Sequence, residues 1–398
     1  MRYYLAEHAA LKCLESLSVY DIRRDELYEV DEDAFVWLQE CATPEGGGPQ
    51  NSEADFVEYC LSEGLLLYEK VNARRPVVIK SPVPSLRYLE LQITDKCNLK
   101  CRHCYVGKPQ NKEISIPDLK RLLDEFETMQ GLRLMITGGE PLMHSDFDRF
   151  NKLLPGYAFR KILFTNGMLI NEKILQSLGV DEIQFSVDGM EHGHDFLRGP
   201  GSFKRVIQAM KKALESGFKI SAATMIHKEN LNEFEEMKVL FNSLCISDWT
   251  VDAPTPAGSL KDDSSICVPP DIGGKFLGYG FGGGMHGSSE GYGCGLHLAS
   301  VLANGDIAKC AFYSANPAGN IREGLTAVWS RVRPVSLRAL KCYSVSCPVI
   351  EECRGGCRYR ASVMDEANDF SSGNDSDGNA CDFYKCCYYG IMKTGMKP

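Results

Sequence analysis

The stretch CNLKCRHC places Cys97, Cys101 and Cys104 within eight residues, directly after the apolar run YLELQIT. Three thiolates so spaced form a metal-binding set that lacks one donor. A closed structural zinc site wants four ligands. His103 would have to be the fourth, awkwardly, from inside the same tight loop. A cubane [4Fe–4S] cluster suits three cysteines better, because its fourth iron stays open to an outside group. A second set of soft donors lies far downstream: Cys294, Cys310, Cys342, Cys347, Cys353, Cys357 and Cys381, followed by Cys386 and Cys387.

The chain has 17 cysteines in 398 residues. A secreted disulfide framework would also be cysteine-rich, but the start MRYYLAEHAALKC has neither an apolar signal core nor a cleavage site. The cysteine count is odd, and a chain of this length needs no covalent staples. A reducing, cytoplasmic setting is expected. No apolar run approaches the ~20 residues of a membrane span. A net charge of −9 excludes a broad nucleic-acid footprint and leaves room only for a local basic groove.

The elements that must position these donors follow from periodicity. Residues 1–80 read as a small unit: strands near LSVYDIR and ELYEVD, a helix over 32–41, a second helix in EADFVEYCLSEG started by Ser52 and Asp55 and ended by Gly64, and a strand LLLYEKV. That order is the one of a winged-helix module, and SPVPS at 81–85 reads as a linker. Residues 86–256 supply six β-rich runs: RYLELQIT, RLMITG, KILFTNG, EIQFSVDG, KISAATMIH and WTVDAP. A helix from about Pro117 to Met129, capped by Ser115, buries Leu119, Leu122, Leu123 and Phe126. The fold class predicted is α/β: six βα units imply a parallel sheet, open or partly closed into a barrel, with functional residues at the C-terminal strand ends. Residues 257–398 form a Gly- and Cys-rich third unit. Its acidic stretch DEANDFSSGNDSDGN lacks EF-hand spacing and reads as a solvated loop.

With its triplet after the first barrel strand, the chain resembles the radical S-adenosylmethionine (SAM) superfamily. The resemblance implies a partial (β/α)6 TIM-like barrel for the core and a [4Fe–4S] cluster on Cys97, Cys101 and Cys104, with SAM chelating the open iron. It also assigns SAM contacts to Gly138, Gly139 and Glu140 of TGGEP, Asn166 of TNG, Ser186 and Asp188 of SVDG, and Arg198 of LRG. The downstream cysteines resemble the SPASM extension, C-x9–15-G-x4-C then C-x2-C-x5-C-x3-C then C, with NGDIAKC and GNI in place. This implies two auxiliary [4Fe–4S] clusters, one on Cys294, Cys310 and Cys357, the other on Cys342, Cys347, Cys353 and Cys381. Four residues separate Cys342 from Cys347 where the pattern has two. Cys267 or an open iron would complete the first auxiliary site. Cys13, Cys41, Cys60 and Cys245 read as core residues.

SPASM relatives mostly modify ribosomally made peptides, and residues 1–80 resemble a PqqD-like peptide-recognition element that takes a leader peptide by strand addition. The acidic DELYEVDEDAF disfavours DNA for that module. The expected activity is therefore radical SAM peptide maturation, forming a thioether or other cross-link. Partners would be a precursor peptide and a reductant such as flavodoxin or ferredoxin, with no nucleic acid or membrane. Side-chain oxidation of the sulfatase-maturase kind and tetrapyrrole modification are the alternatives. Asp252, Asp271 and Tyr292 are polar groups that could face a substrate, and none is singled out as catalytic.

Overall fold

The computed structural model describes residues 1–49, 54–261, 263–282, 284, 291–340 and 357–364. In the N-terminal module β1 (Tyr4–Leu5) pairs with β5 (Leu66–Leu67), and β2 (Ala9–Cys13), β3 (Leu17–Asp21) and β4 (Glu26–Glu29) form an antiparallel meander. Helix α1 (Glu32–Cys41) starts at Asp31, whose carboxylate accepts the Ala34 N–H. Helix α2 (Ala54–Ser62) is followed by Gly64 at φ +71°, and the proposed cap Ser52 lies outside the described residues.

The sequence reading placed two strands before α1; there are four, and LLLYEKV supplies only the two residues of β5. Strand β2 escapes notice because Lys12 breaks its apolar run. Lys12 is nonetheless buried, since its Nζ donates to Gly131 O at 2.8 Å and Ala158 O at 2.9 Å in the barrel. Burial lowers its pKa to about 7.

All six anticipated barrel strands form. They are β6 (Tyr88–Thr94), β7 (Arg133–Gly138), β8 (Arg160–Thr165), β9 (Glu182–Ser186), β10 (Lys219–Met225) and β11 (Asp248–Asp252), parallel and side by side in chain order. Helices α3 (Ile116–Thr128), α4 (Phe147–Asn151), α5 (Glu172–Ser177), α6 (Glu191–Arg198), α7 (Ser202–Glu215) and α8 (Phe234–Ser243) connect them. Ser115 caps α3 as expected, and its Leu119, Leu122, Leu123 and Phe126 share one core with Leu89, Leu91 and Ile93 of β6.

Beyond α9 (Pro270–Phe276), strand β12 (Leu298–Val301) joins the free edge of β6 in parallel, and β13 (Asp306–Ala308) and β14 (Gly319–Asn320) continue the sheet antiparallel. The sheet is extended at β6 rather than closed onto β11, so the barrel is partial. Helices α10 (Leu325–Trp329) and α11 (Arg358–Met364) complete the described elements. Among the described residues no helix is long and apolar enough to cross a membrane.

The module also forms the barrel floor. Asp25, in the β3–β4 turn at φ +64°, pairs with Arg133 and lies 3.8 Å from Arg160, which bonds Glu182 at 2.6 Å. Arg133, whose side chain is 11 % exposed, pairs with Asp25, so removing that charge leaves a cation poorly compensated in low dielectric. Asp25→Asn keeps the left-handed turn and removes only the charge. A loss of about 3 kcal/mol in urea unfolding free energy is expected; an unchanged value would remove Asp25 from the stability of the floor.

Candidate functional site

Residues 95–112 form a closed loop over the C-terminal end of β6. Asp95 closes it by accepting the Gln110 and Lys112 N–H groups, both at 2.8 Å, while its own N–H donates to Lys112 O. Cys97, Cys101 and Cys104 are half-buried within it. Burial pushes the Cys101 thiol up to about 11 and raises that of Cys97, and Cys104 beside both adds to the effect. Three soft sulfur donors in a partly buried loop, whose thiols burial keeps protonated until a metal binds, suit an iron–sulfur cluster. Among the described residues no group of three His, Cys, Asp or Glu side chains is gathered around a single metal position. His103 does not join the cysteines as a zinc donor; its Nε2 lies 3.4 Å from Arg198 and 3.8 Å from Asp188.

The two glycines of TGGEP do their work against this loop. A Cβ on Gly138 would meet Thr94 O at 2.1 Å, and one on Gly139 would meet Lys96 O at 2.3 Å. Only bare backbone lets Gly139 N bond Thr94 O and Glu140 N bond Lys96 O, each at 2.8 Å. Glu140 itself is fully buried and accepts from Thr165 Oγ1 at 2.8 Å and Asn166 N at 2.9 Å. Asn166 then turns its amide to Asn98 Oδ1 at 2.7 Å and Cys97 Sγ at 3.9 Å. The ends of β7 and β8 are thereby tied to the first cysteine.

A second chain of contacts serves the second cysteine. Asp188, just after β9, ion-pairs with Arg198 at the end of α6, and Arg198 Nη1 reaches Cys101 Sγ at 3.9 Å. Burial acts to raise the Asp188 carboxyl, but Arg198 first, then His103, His194 and the Met225 N–H, together hold it well below the usual range. Ser186 is half-buried at the last position of β9.

His192 and His194 both lie in α6. His192 is exposed beside Glu229, but His194 is fully buried and accepts the Asp188 N–H at 3.1 Å. His227 Nε2 and Asn230 Nδ2 lie 3.0 and 2.8 Å from Asp188 O, so the Asp188 peptide is held on both sides. The four-residue spacing of His194 and Arg198 on one helical face was the available signal. Glu90 on β6 was also missed. It accepts from Tyr105 at 3.2 Å and Ser300 at 2.6 Å, and burial raises its pKa.

Cys294, Cys310 and Cys357 also come together. Burial first, then the Cys294 and Cys357 neighbours, pushes Cys310 up to about 12. An aromatic path joins the two cysteine groups: Tyr105 to Phe312 at 5.8 Å, Phe312 to Tyr359 at 5.6 Å, Tyr359 to Tyr313 at 5.3 Å between ring centroids. Arg360 donates its N–H to Cys357 Sγ at 3.4 Å and its guanidinium to Asp252 at 2.8 Å, fastening α11 to the end of β11. Cys267 packs instead with Leu197, Leu260 and Ile266, beside Lys228 and Asp263. Tyr292 is exposed. Cys342, Cys347, Cys353, Cys381, Cys386, Cys387 and the Asp271 side chain lie outside the described residues. Cys41 and Cys60 are buried and Cys13 half-buried, but Cys245 is exposed, in a left-handed turn after α8 at φ +49°.

Burial pushes Glu140 up to about 7 from 4.5, against the hydrogen bonds from Asn166 and Thr165. A carboxyl raised on folding favours the folded chain when protonated, and that contribution is lost as pH climbs from 4.5 through 7. In SAM-free protein, Glu140→Gln should therefore gain on the unaltered chain by about 3 kcal/mol between acid and mildly basic pH, read by urea unfolding. A difference independent of pH would contradict the raised value.

Residues 91–241 match the family model of the radical SAM superfamily. The AdoMet-dependent heme synthase of Oleidesulfovibrio alaskensis is 28% identical over 191 residues, 46% of this chain and 49% of that protein. Mycofactocin maturase MftC of Mycolicibacterium smegmatis is 31% identical over 161 residues, 38% of this chain and 41% of its own length. The chain thus spans about half the length of the curated relatives it matches. The crystal structure of Streptococcus suis SuiB bound to precursor peptide SuiA superposes with a TM-score of 0.69 at 17% identity, over 93% of this chain and 98% of SuiB. With its strand order, its triplet loop and this match, the chain carries a radical SAM domain over residues 91–241.

Proposed function

We propose that this chain is a radical SAM peptide maturase that joins two groups of a ribosomally made precursor peptide through a thioether or other cross-link. The observation that carries this reading is the likeness to SuiB over 93% of this chain and 98% of SuiB, a protein whose crystal structure was determined with its precursor peptide bound. The similarity to mycofactocin maturase points the same way.

Residues 1–80 would take the leader, 86–256 would be the catalytic barrel, and 257–398 the SPASM unit. Cys97, Cys101 and Cys104 would hold the SAM-binding cluster. Cys294, Cys310 and Cys357 would hold one auxiliary [4Fe–4S] cluster, and Cys342, Cys347, Cys353 and Cys381 the other. Bound there, SAM and its cluster would supply radical chemistry, a 5′-deoxyadenosyl radical able to take hydrogen from a substrate carbon. The chain's own groups do the positioning. Gly138 and Gly139 hold the loop at the strand ends, Glu140 and Asn166 orient the Cys97 side, and Asp188 with Arg198 orients the Cys101 side. Ser186 completes the polar rim for the ribose. Asp25, Arg133 and Arg160 would brace the closed end of the barrel from below. Two hydrogens would be lost from the peptide overall, one as an atom to the deoxyadenosyl radical and one as a proton, with the remaining electron passing to an auxiliary cluster.

Tetrapyrrole chemistry is the second reading, supported by the heme-synthase similarity over half of each protein. Anaerobic co-expression with a small peptide encoded beside the gene separates the two. Loss of two hydrogens from that peptide is expected with the intact enzyme and not with Cys101→Ala. An unchanged peptide mass, with iron fully loaded, would contradict peptide cross-linking and favour the small-molecule reading.

A further inference from the structure

The segment joining the N-terminal module to the barrel carries two consecutive arginines that reach opposite ways. Arg74 donates to both carboxylate oxygens of Glu127 in α3, at 2.8 and 2.5 Å. Arg75 turns back to the module and donates to the carbonyls of Leu5, Ala6 and Ala9 at 2.5, 3.0 and 2.8 Å. Both arginines line a partly enclosed cavity of about 670 Å³. Its walls come from the module, the joining segment and the loops before β8, β9 and β10, so it lies at the N-terminal ends of the barrel strands. The cysteine triplet is at the other ends, the length of a six-residue strand away, about 20 Å.

Cations dominate the lining. Three of them are neutralised: Arg74 by Glu127, Arg160 by Glu182 at 2.6 Å and Lys161 by Asp181 at 3.3 Å. Arg23 and Arg75 form no ion pair among the described residues, and the carboxylate nearest to Lys219 is that of Glu182, at 4.0 Å and already held by Arg160. Against these three cations the lining sets one further acid, Glu7, which acts on Arg75. The cavity is therefore positive in a chain of net charge −9. Two lining nitrogens, Arg160 Nε in a side chain 1 % exposed and His8 Nε2, are buried with no hydrogen-bond partner, so the wall holds unmet polar capacity. Much of the remaining lining is apolar, with Leu11, Val78 and Val180 in it.

We propose that this cavity binds a small organic phosphate of nucleotide size. Guanidinium forks match the oxygens of a phosphate dianion, and the apolar wall takes an uncharged ring. The volume is that of a site for a whole small molecule and exceeds what inorganic phosphate alone would fill. Because module, joining segment and barrel each supply a wall, a ligand held there fastens the module to the barrel and adds its binding free energy to the docked arrangement. The linkage runs both ways, so whatever frees the module weakens the ligand. The site stands apart from the radical reading, since no cysteine and no residue assigned to SAM lines it.

The test is calorimetric titration of the full, iron-loaded chain with uridine 5′-diphosphate, whose base differs from the adenine of SAM, with SAM present throughout. One equivalent should bind, and uridine without its phosphates should bind at least about tenfold more weakly. Arg23→Gln combined with Lys219→Gln changes two exposed side chains and should weaken the diphosphate at least about tenfold, with SAM cleavage in its absence unchanged. Should the double variant lose its folded circular dichroism, Arg23→Gln alone and the uridine comparison on the unaltered chain decide the matter. No binding at millimolar diphosphate would overturn the site, as would equal affinity in the variant or for uridine. Inorganic phosphate binding as tightly as the diphosphate would overturn the nucleotide-sized ligand. A glutamate-rich peptide that binds more tightly and displaces the diphosphate would assign the cavity to an acidic polypeptide and overturn the proposal.

Discussion

The backbone of Gly138 and Gly139 lies directly on the backbone of Thr94 to Lys96, in space where no Cβ fits. Much of the site depends on this contact, because it fixes the root of the cysteine loop to the mouth of the barrel without any intervening side chain. Two hydrogen bonds of 2.8 Å then run from β7's end into the loop. From that seam Glu140 is delivered to Thr165 and Asn166, and Asn166 to Cys97. A displacement of the seam would therefore move the cysteine, the acid and the amide together.

Charge buried at both ends of the barrel makes the arrangement rigid. At the mouth, Asp188 is nearly fully buried and is held by Arg198, His194 and the Met225 N–H. At the floor, Asp25 of the N-terminal module sits between Arg133 and Arg160. Such pairs add little net stability over apolar packing, but breaking one strands a buried charge, so they specify one geometry. The module is consequently locked beneath the lumen by Asp25 and Lys12 rather than tethered loosely by its linker.

The barrel was legible in the sequence because each of its six strands is an apolar, β-branched run ending in a turn signal, and because the chemistry-bearing residues recur at those ends. Helix α3 was legible for the same reason, through Ser115 and a four-residue apolar stripe. Other features arise only from contacts between distant segments. Lys12 reads as a solvated interruption until the barrel carbonyls that receive it are in place. The four residues of β12 carry no signal of their own against a Gly-rich background; pairing with β6 makes them a strand. His194 and His227 look ordinary until Asp188 is placed between them. Cys245 looked like core because its neighbours are apolar, but a left-handed turn carries it outward.

The measurement that bears most directly on this account is 5′-deoxyadenosine formation from SAM, under anaerobic reducing conditions, by iron-loaded protein and by Gly139→Ala. The account predicts product from the unaltered chain and a loss of about 100-fold in Gly139→Ala with its circular dichroism preserved, since an ångström of displacement at the loop is enough to misplace the reacting groups. Equal rates from the two proteins would contradict the claim that the glycine seam sets the site. No product from either would contradict the radical chemistry.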